Sequence, residues 1–158
     1  MSDSLNKGDI SPNFKAKIDG NRTLKSKDLR GKNIVLFFYP KDDTPGCTKE
    51  SCGFSDLNKE FNKNNAVIIG VSKDSLERHD KFKNKYNLQI DLISDEEGTI
   101  CESFGTWKEK KNYGRIYMGI ERSTFLIDEE GKIIKAWRKV RVDGHVEEVL
   151  DTLKALKK

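Results

Sequence analysis

Two stretches of this chain are apolar at almost every position, and both are short. Asn33–Tyr39 (NIVLFFY) and Ala66–Ser72 (AVIIGVS) are rich in β-branched and aromatic residues. Continuous apolar runs of that length predict strands buried on both faces. Between them the period changes. Phe54, Leu57 and Phe61 recur at i, i+3 and i+7, one apolar stripe on a helix expected over about Cys47–Lys63. These segments together predict a β-α-β unit. A second helix is expected from about Ser75 to Tyr86, with Asp74 as N-cap and Glu77 three residues on in a capping-box arrangement. Asp91–Ser94 reads as a short strand, Gly98–Phe104 as a short helix, and Trp107–Gly119 as irregular. Ser123–Ile127 and Ile133–Trp137 read as strands flanking Asp128-Glu129-Glu130-Gly131, where Gly131 suits a left-handed hairpin position. Val146, Val149, Leu150, Leu153 and Leu156 form the apolar stripe of a last helix, with Asp143 and Gly144 at its start.

Parallel strands joined by helices, then an antiparallel hairpin and a closing helix, fit a thioredoxin-like three-layer α/β/α sandwich with a mixed central sheet. A flavodoxin-like sheet is the competitor; it would need more strand–helix alternation and no late hairpin. At 158 residues one domain spanning 1–158 is expected, with enough buried surface to need no disulfide or metal staple. No apolar run approaches the roughly 18 residues of a membrane helix. The polar stretch Met1–Lys7 lacks the apolar segment of a signal peptide, so a cytoplasmic location is expected. Thirty Lys and Arg stand against 26 Asp and Glu, and the basic residues are interspersed with acidic ones rather than gathered into a stripe. No nucleic-acid partner is expected. The three lysines of Lys154–Lys158 suit the negative end of a helix dipole.

Candidate chemistry begins with the cysteines Cys47, Cys52 and Cys101. In a reducing cytosol structural disulfides are rare, so a cysteine pair points to redox chemistry or metal binding. Three thiols and two distant histidines, His79 and His145, make a poor zinc set. The run Pro40-Lys-Asp-Asp-Thr44-Pro45-Gly46-Cys47 follows the C-terminal end of the first buried strand, where open α/β sheets bind ligands. Pro45 and Gly46 break the strand, and Cys47 falls in the first helical turn. Unpaired N–H groups and the helix dipole there favour thiolate over thiol. A helix N-terminus can pull a cysteine from about 8.5 to between ~3.5 and ~7.5. Full ionisation gains roughly thirtyfold, whereas enzymes supply ~10⁶-fold or more. Other groups must therefore hold an electrophile, and the candidates are the Thr44 hydroxyl, the Gly46 and Cys47 amides and a cation from elsewhere. Taken alone, such a cysteine reads rather as a small buried hydrophobe; the Pro-x-x-x-Thr-x-x-Cys context reverses that reading.

Cys52 lies five residues after Cys47 on the expected helix. Ideal geometry sets them ~140° apart with Cα atoms roughly 8–9 Å apart, beyond the ~4.4–6.8 Å of a disulfide. The two sulfurs cannot bond while the helix is intact. The apolar stripe places Cys47 on the core side with Phe54, and Cys52 on the more exposed side with Asp56, Lys59 and Lys63.

Pro40, Thr44 and Cys47 match the peroxiredoxin active-site pattern, and FFYPKDDTPGCTKESCGF resembles the bacterioferritin comigratory protein, or peroxiredoxin Q, branch. The resemblance spans nearly the whole chain, through Gly8–Phe14, GVSKDS with His79–Phe82, YGRIYMGIERSTFLID and Gly144-His145. Gln89 departs from it, standing where a proline is common. The resemblance implies a thioredoxin fold and a thiol peroxidase for hydrogen peroxide and organic hydroperoxides, with no metal or organic cofactor. Cys47 would be the peroxidatic cysteine, oxidised to a sulfenic acid. Thr44 would hydrogen-bond the peroxide and Pro40 would shield the sulfenate. Arg122 would supply a fixed charge. Cys52 would be the resolving cysteine, and thioredoxin or glutaredoxin the reductant. The branch also suggests a monomer. Cys101 and His79 read as packing residues, and His145 as a capping or surface residue. Two rival readings are a dithiol oxidoreductase for protein disulfides, though the usual Cys-x-x-Cys is missing, and a non-catalytic thioredoxin-fold module.

Overall fold

The computed structural model describes residue 5 and residues 7–156; the remainder of the polar stretch 1–7, and Lys157 and Lys158, lie outside the described residues. The first buried run forms β3 (Asn33–Phe38), preceded by a short hairpin of β1 (Lys15–Ile18) and β2 (Arg22–Lys25). After β3 come α1 (Pro45–Asp56), α2 (Asn58–Lys63), β4 (Ala66–Ser72), α3 (Leu76–Tyr86), β5 (Asp91–Ser94) and α4 (Thr99–Ser103). The chain ends with β6 (Trp107–Asn112), β7 (Arg115–Ile120), β8 (Ser123–Ile127), β9 (Ile133–Trp137) and α5 (His145–Ala155).

Seven strands make one sheet in the order β2-β1-β5-β4-β3-β8-β9. β3, β4 and β5 are parallel, linked by helical crossovers, while β8 pairs antiparallel with β3 and β1 with β5. All six residues of β3 are buried, and the strand's alternation splits the core in two. Val35 and Phe37, with Tyr39 beyond the strand end, face a layer containing Phe54, Phe61, Phe82 and Val149 of α1, α2, α3 and α5. Ile34, Leu36 and Phe38 face Ile100, Phe104 and Ile120 on the other side. The expected three-layer sandwich with a mixed sheet is therefore the observed architecture. Phe54 stacks on Phe37 at 4.7 Å between centroids, which fixes α1 against the strand whose end carries Pro40.

Three expectations need correction, and one element had no expectation at all. The helix expected over Cys47–Lys63 is kinked at Leu57 (φ −98°, ψ 8°), yet Leu57 N–H reaches Gly53 O and Phe61 N–H reaches Leu57 O across the kink. The cap of α3 is Ser75, whose hydroxyl accepts from Arg78 N–H; Asp74 is occupied elsewhere, as described below. Trp107–Gly119 is not irregular. It forms most of the antiparallel hairpin β6–β7, closed by Tyr113-Gly114 with both φ values positive (52° and 77°), a type I′ turn. Its outer part stands off the core, with Tyr113 98% exposed, so its sequence carries no burial period. The β1–β2 hairpin is short and mostly exposed, and leaves no apolar run to read.

Gly70 of β4 shows how tightly the layer under α1 is filled. A Cβ there would lie 2.8 Å from Phe37, 3.0 Å from Leu92 and 3.1 Å from Tyr39. All three neighbours are fully enclosed, so none can yield cheaply. Gly70→Ala is expected to lose about 1–3 kcal/mol of stability. Urea unfolding checks this, and a variant as stable as the parent would mean that the layer has slack.

Candidate active site

β3 delivers the chain through Tyr39 to Pro40 at the sheet's C-terminal edge, and the loop to residue 44 leads into α1. Thr44 is the N-cap residue with extended backbone, Pro45 takes the first helical position, where its missing N–H costs nothing, and Cys47 falls within the first turn. Cys47 is 1% exposed and belongs to the core layer with Phe54. Cys52 is half-buried and packs on the edge of the same layer, more exposed than Cys47, as its helical position predicts. Burial, reinforced by the Asp56 carboxylate, pushes the Cys52 thiol up. All three cysteines are free thiols.

Arg122 lies 75 residues beyond Cys47, between β7 and β8, and its Nη2 donates to Cys47 Sγ at 3.2 Å. Gly46 permits this approach, since a Cβ there would sit 3.2 Å from the same nitrogen. The other arm of the guanidinium, Nη1, donates to Glu50 Oε1 at 2.6 Å. Sequence reasoning missed Glu50. It was legible as Cys47-x-x-Glu50, a spacing that puts both side chains on one helical face. The carboxylate is fully enclosed, and burial pushes it up to about 7 despite the charge of Arg122. Glu50 Oε2 has no hydrogen-bond partner among the described residues. His145 Nε2 lies 4.0 Å from that oxygen and within 2.8 Å of Thr124 Oγ1. Burial pulls His145 down to about 4, so the ring is neutral at pH 7. His145 is thus an enclosed neighbour of the site rather than a surface residue.

Thr44 is half-buried, and its hydroxyl donates to Lys41 O at 3.0 Å, leaving the oxygen's lone pairs free to accept. Pro40 is exposed at the loop's start. The five residues singled out by the sequence therefore fall at one end of one sheet, with Arg122 in contact with Cys47 and Cys52 on the same helix. Cys101 lies elsewhere. It is fully buried on the opposite face of the sheet, its N–H donates to Asp95, and burial and Asp95 hold its thiol well above the usual range.

A buried polar cluster sits on the far side of the loop. Asp42, Asp74 and His79 bring ligand-type atoms within 4.8 Å of one another. Both ring nitrogens of His79 are already engaged, Nδ1 with Asp42 Oδ2 at 2.6 Å and Nε2 with Ile93 O at 2.8 Å.

A helix-start thiol facing an arginine at the edge of a thioredoxin-like sheet defines a thiol-peroxidase class of site, and comparison with known proteins gives the family. Residues 7–136 match the AhpC/TSA family. The chain belongs to that family, and within it to the peroxiredoxins of the Bcp, or peroxiredoxin Q, branch. Peroxiredoxin Bcp of Bacillus subtilis (strain 168) is 56% identical over 147 residues, covering 93% of this chain and 94% of the relative. A Xylella fastidiosa PrxQ variant superposes with a TM-score of 0.93 at 41% identity over 98% of each chain. The Xanthomonas campestris bacterioferritin comigratory protein, described for its alkyl peroxide reduction activity, gives 0.88 at 43% identity over 92% of each chain.

The burial of Glu50 has a measurable consequence. The folded protein keeps this proton up to about pH 7, while the unfolded chain releases it near 4.5. Between those limits the native state binds more protons, so the residue's contribution to stability falls as pH rises. Glu50→Gln removes that loss. The variant's stability relative to the parent is expected to rise by up to about 3 kcal/mol between pH 4.5 and pH 7. Urea titrations across that range check it; a difference that does not change with pH refutes the assignment.

Proposed function

We propose that Cys47 is the peroxidatic sulfur of this thiol peroxidase and that Cys52 resolves it. The single observation that carries the reading is the Arg122 guanidinium, 3.2 Å from a buried cysteine sulfur in the first turn of α1. Negative charge on that sulfur meets a fixed cation and the unpaired N–H groups of the helix start. The thiolate attacks the terminal oxygen of a hydroperoxide. An S–O bond forms, the O–O bond breaks, and the alkoxide or hydroxide leaves with a proton as alcohol or water. Arg122 faces the oxygen on which that charge develops, where a prepositioned donor is most effective. Thr44 Oγ1, its own hydrogen given to Lys41 O, accepts the hydrogen of the incoming peroxide and aligns it. Pro40 covers the sulfenic acid against water.

The thiol of Cys52 then attacks the Cys47 sulfenic acid, water leaves, and a Cys47–Cys52 disulfide remains. The raised thiol of Cys52 is a reason for this attack to follow opening of the helix rather than precede it, since exposure removes the burial that disfavours its thiolate. A thioredoxin, or a glutaredoxin, takes the disulfide by dithiol exchange and is itself oxidised. The resemblance to this branch suggests a monomeric enzyme. We place it in the cytoplasm, where free thiols such as these persist. Among the described residues no helix is long and apolar enough to cross a membrane. Hydrogen peroxide and organic hydroperoxides are the substrates, the latter supported by the Xanthomonas relative's alkyl peroxide activity.

Cys47→Ser is expected to abolish peroxide consumption, and Cys52→Ser to keep one equivalent of sulfur oxidation while losing turnover with thioredoxin. Arg122→Gln should lower the second-order rate with peroxide by about 10²–10³-fold. Stopped-flow peroxide consumption and intact-mass spectrometry measure all three. Retention of the full peroxidase rate in Cys47→Ser would refute the assignment.

A further inference from the structure

The loop carrying Pro40 and Thr44 is tied down from below by a group of buried side chains that the reaction does not use. Asp42 is 4% exposed and His79 is fully enclosed. Asp42 Oδ1 accepts from the Tyr39 hydroxyl at 2.6 Å, and Oδ2 faces His79 Nδ1, also at 2.6 Å. Asp42 N–H donates to Asp74 Oδ2 at 2.7 Å, an oxygen that also accepts from Ser72 Oγ at 2.7 Å.

The protonation of the pair follows from its partners. His79 Nε2 faces a backbone carbonyl, which can only accept, so Nε2 carries a hydrogen. Nδ1 faces a carboxylate oxygen, so one further proton lies between the ring and Asp42, whichever of them holds it. Written as imidazolium and carboxylate, the pair is charge-assisted and has no net charge. Burial opposes a charged ring, but the hydrogen bond and charge of Asp42 outweigh it and raise His79. The next residue binds the same helix from outside. Asp43, with a left-handed backbone (φ 60°), accepts from Lys85 Nζ at 2.8 Å and from the Tyr86 hydroxyl at 2.6 Å.

We infer that the Asp42–His79 pair is a latch that holds the loop and the first turn of α1 closed over Cys47, and so sets how often Cys47 is released to meet Cys52. The inference deepens the proposed function and rests on its assignment of Cys52 as the resolving residue. The disulfide requires α1 to open at its start. Asp42 lies five residues before Cys47, and on its far side the chain enters the β3 core, so opening from the helix start pulls against the latch. Asp42 and His79 touch no reacting atom and are positioning residues. A tight latch favours the closed, attacking form and prolongs the sulfenic acid, which leaves time for a second peroxide to take it to sulfinic acid. A loose latch favours the disulfide.

Two variants separate the latch from mere packing. In Asp42→Asn the amide Oδ1 still accepts from Tyr39 and Nδ2 can donate to a neutral His79, so the closure is partly kept. In Asp42→Ala both bonds are lost. Hydrogen exchange at the amides of residues 43–51 is expected to quicken about tenfold or more in Asp42→Ala, and by an intermediate factor in Asp42→Asn, while β8 stays protected. At high peroxide the fraction ending as sulfinic acid should fall in the same order, read by intact mass. The exchange measurement is repeated with Cys52→Ser, where no disulfide can form, and should show the same contrast. Unchanged exchange at 43–51, or an equal rise throughout the sheet, overturns the latch. Absence of a Cys47–Cys52 bond in the oxidised parent overturns the resolving assignment instead, and the exchange contrast then decides the latch alone.

Discussion

One guanidinium holds the site together. Arg122 is 16% exposed at its side chain and divides its two arms between a cysteine sulfur and a carboxylate that has no exposure at all. Burying such a set is costly unless each charge faces another. Glu50 gives one arm of Arg122 an enclosed acceptor, and the other arm is thereby held on the Cys47 sulfur. The arrangement also explains the packing around it. Gly46 has no side chain because the arginine occupies that space, and Gly53, about two turns further along, lets α1 approach Val146 of α5 to 3.1 Å from a notional Cβ. Two glycines on one helix thus admit, in turn, the charge and the neighbouring helix that backs it.

The same packing sets a conflict. In the proposed reaction, attack wants Cys47 enclosed beside Arg122, whereas bond formation with a cysteine five residues along would need the first turns of α1 undone, because an intact helix keeps the Cα atoms roughly 8–9 Å apart. Phe54, stacked on Phe37, lies beyond Cys52 and remains anchored when the turn before it opens. The core therefore need not be breached. What has to give is the segment between Pro40 and Cys52, whose outer residues hold the fold mainly through polar contacts.

Much of this was legible in the sequence, because the relevant residues sit where pattern and chemistry coincide. β4, β5, β8 and β9 were readable as apolar runs or by the turn signal at Gly131, and β3 differs only in ending at Phe38. Cys47 was readable from Pro45 and Gly46, which end a strand and begin a helix. What escaped reading lacked either a period or a local partner. β6 is polar apart from Trp107, and β7 exposes Ile116, Tyr117 and Met118 and buries only Ile120 at its inner end, so neither strand shows a burial period. Asp74 has the composition of a helix cap, but its carboxylate is claimed by Asp42 and Ser72, leaving Ser75 to cap. His79 lies on the apolar face with Phe82, so it reads as packing. Its partner is 37 residues away, and only the crossover of α3 beneath the loop brings the two together.

Stability is unevenly distributed around the sulfur, and the unevenness suits the chemistry. Downstream of Cys52 the chain is held by Phe54 and Phe61, and upstream of Pro40 by six buried residues of β3. Between them Pro40, Lys41, Asp43 and Pro45 are exposed and bury little apolar surface. A segment tied by few apolar contacts can open without the rest of the domain, since local opening costs only the interactions it breaks. Buried, directional contacts such as those of Asp42 are well suited to that task. They are strong while geometry is kept and vanish over a short displacement, unlike apolar burial, which decays gradually with area. A closure built from them switches between two states, open and shut, and an enzyme that must alternate between sheltering a sulfur and surrendering it needs that behaviour more than it needs additional stability.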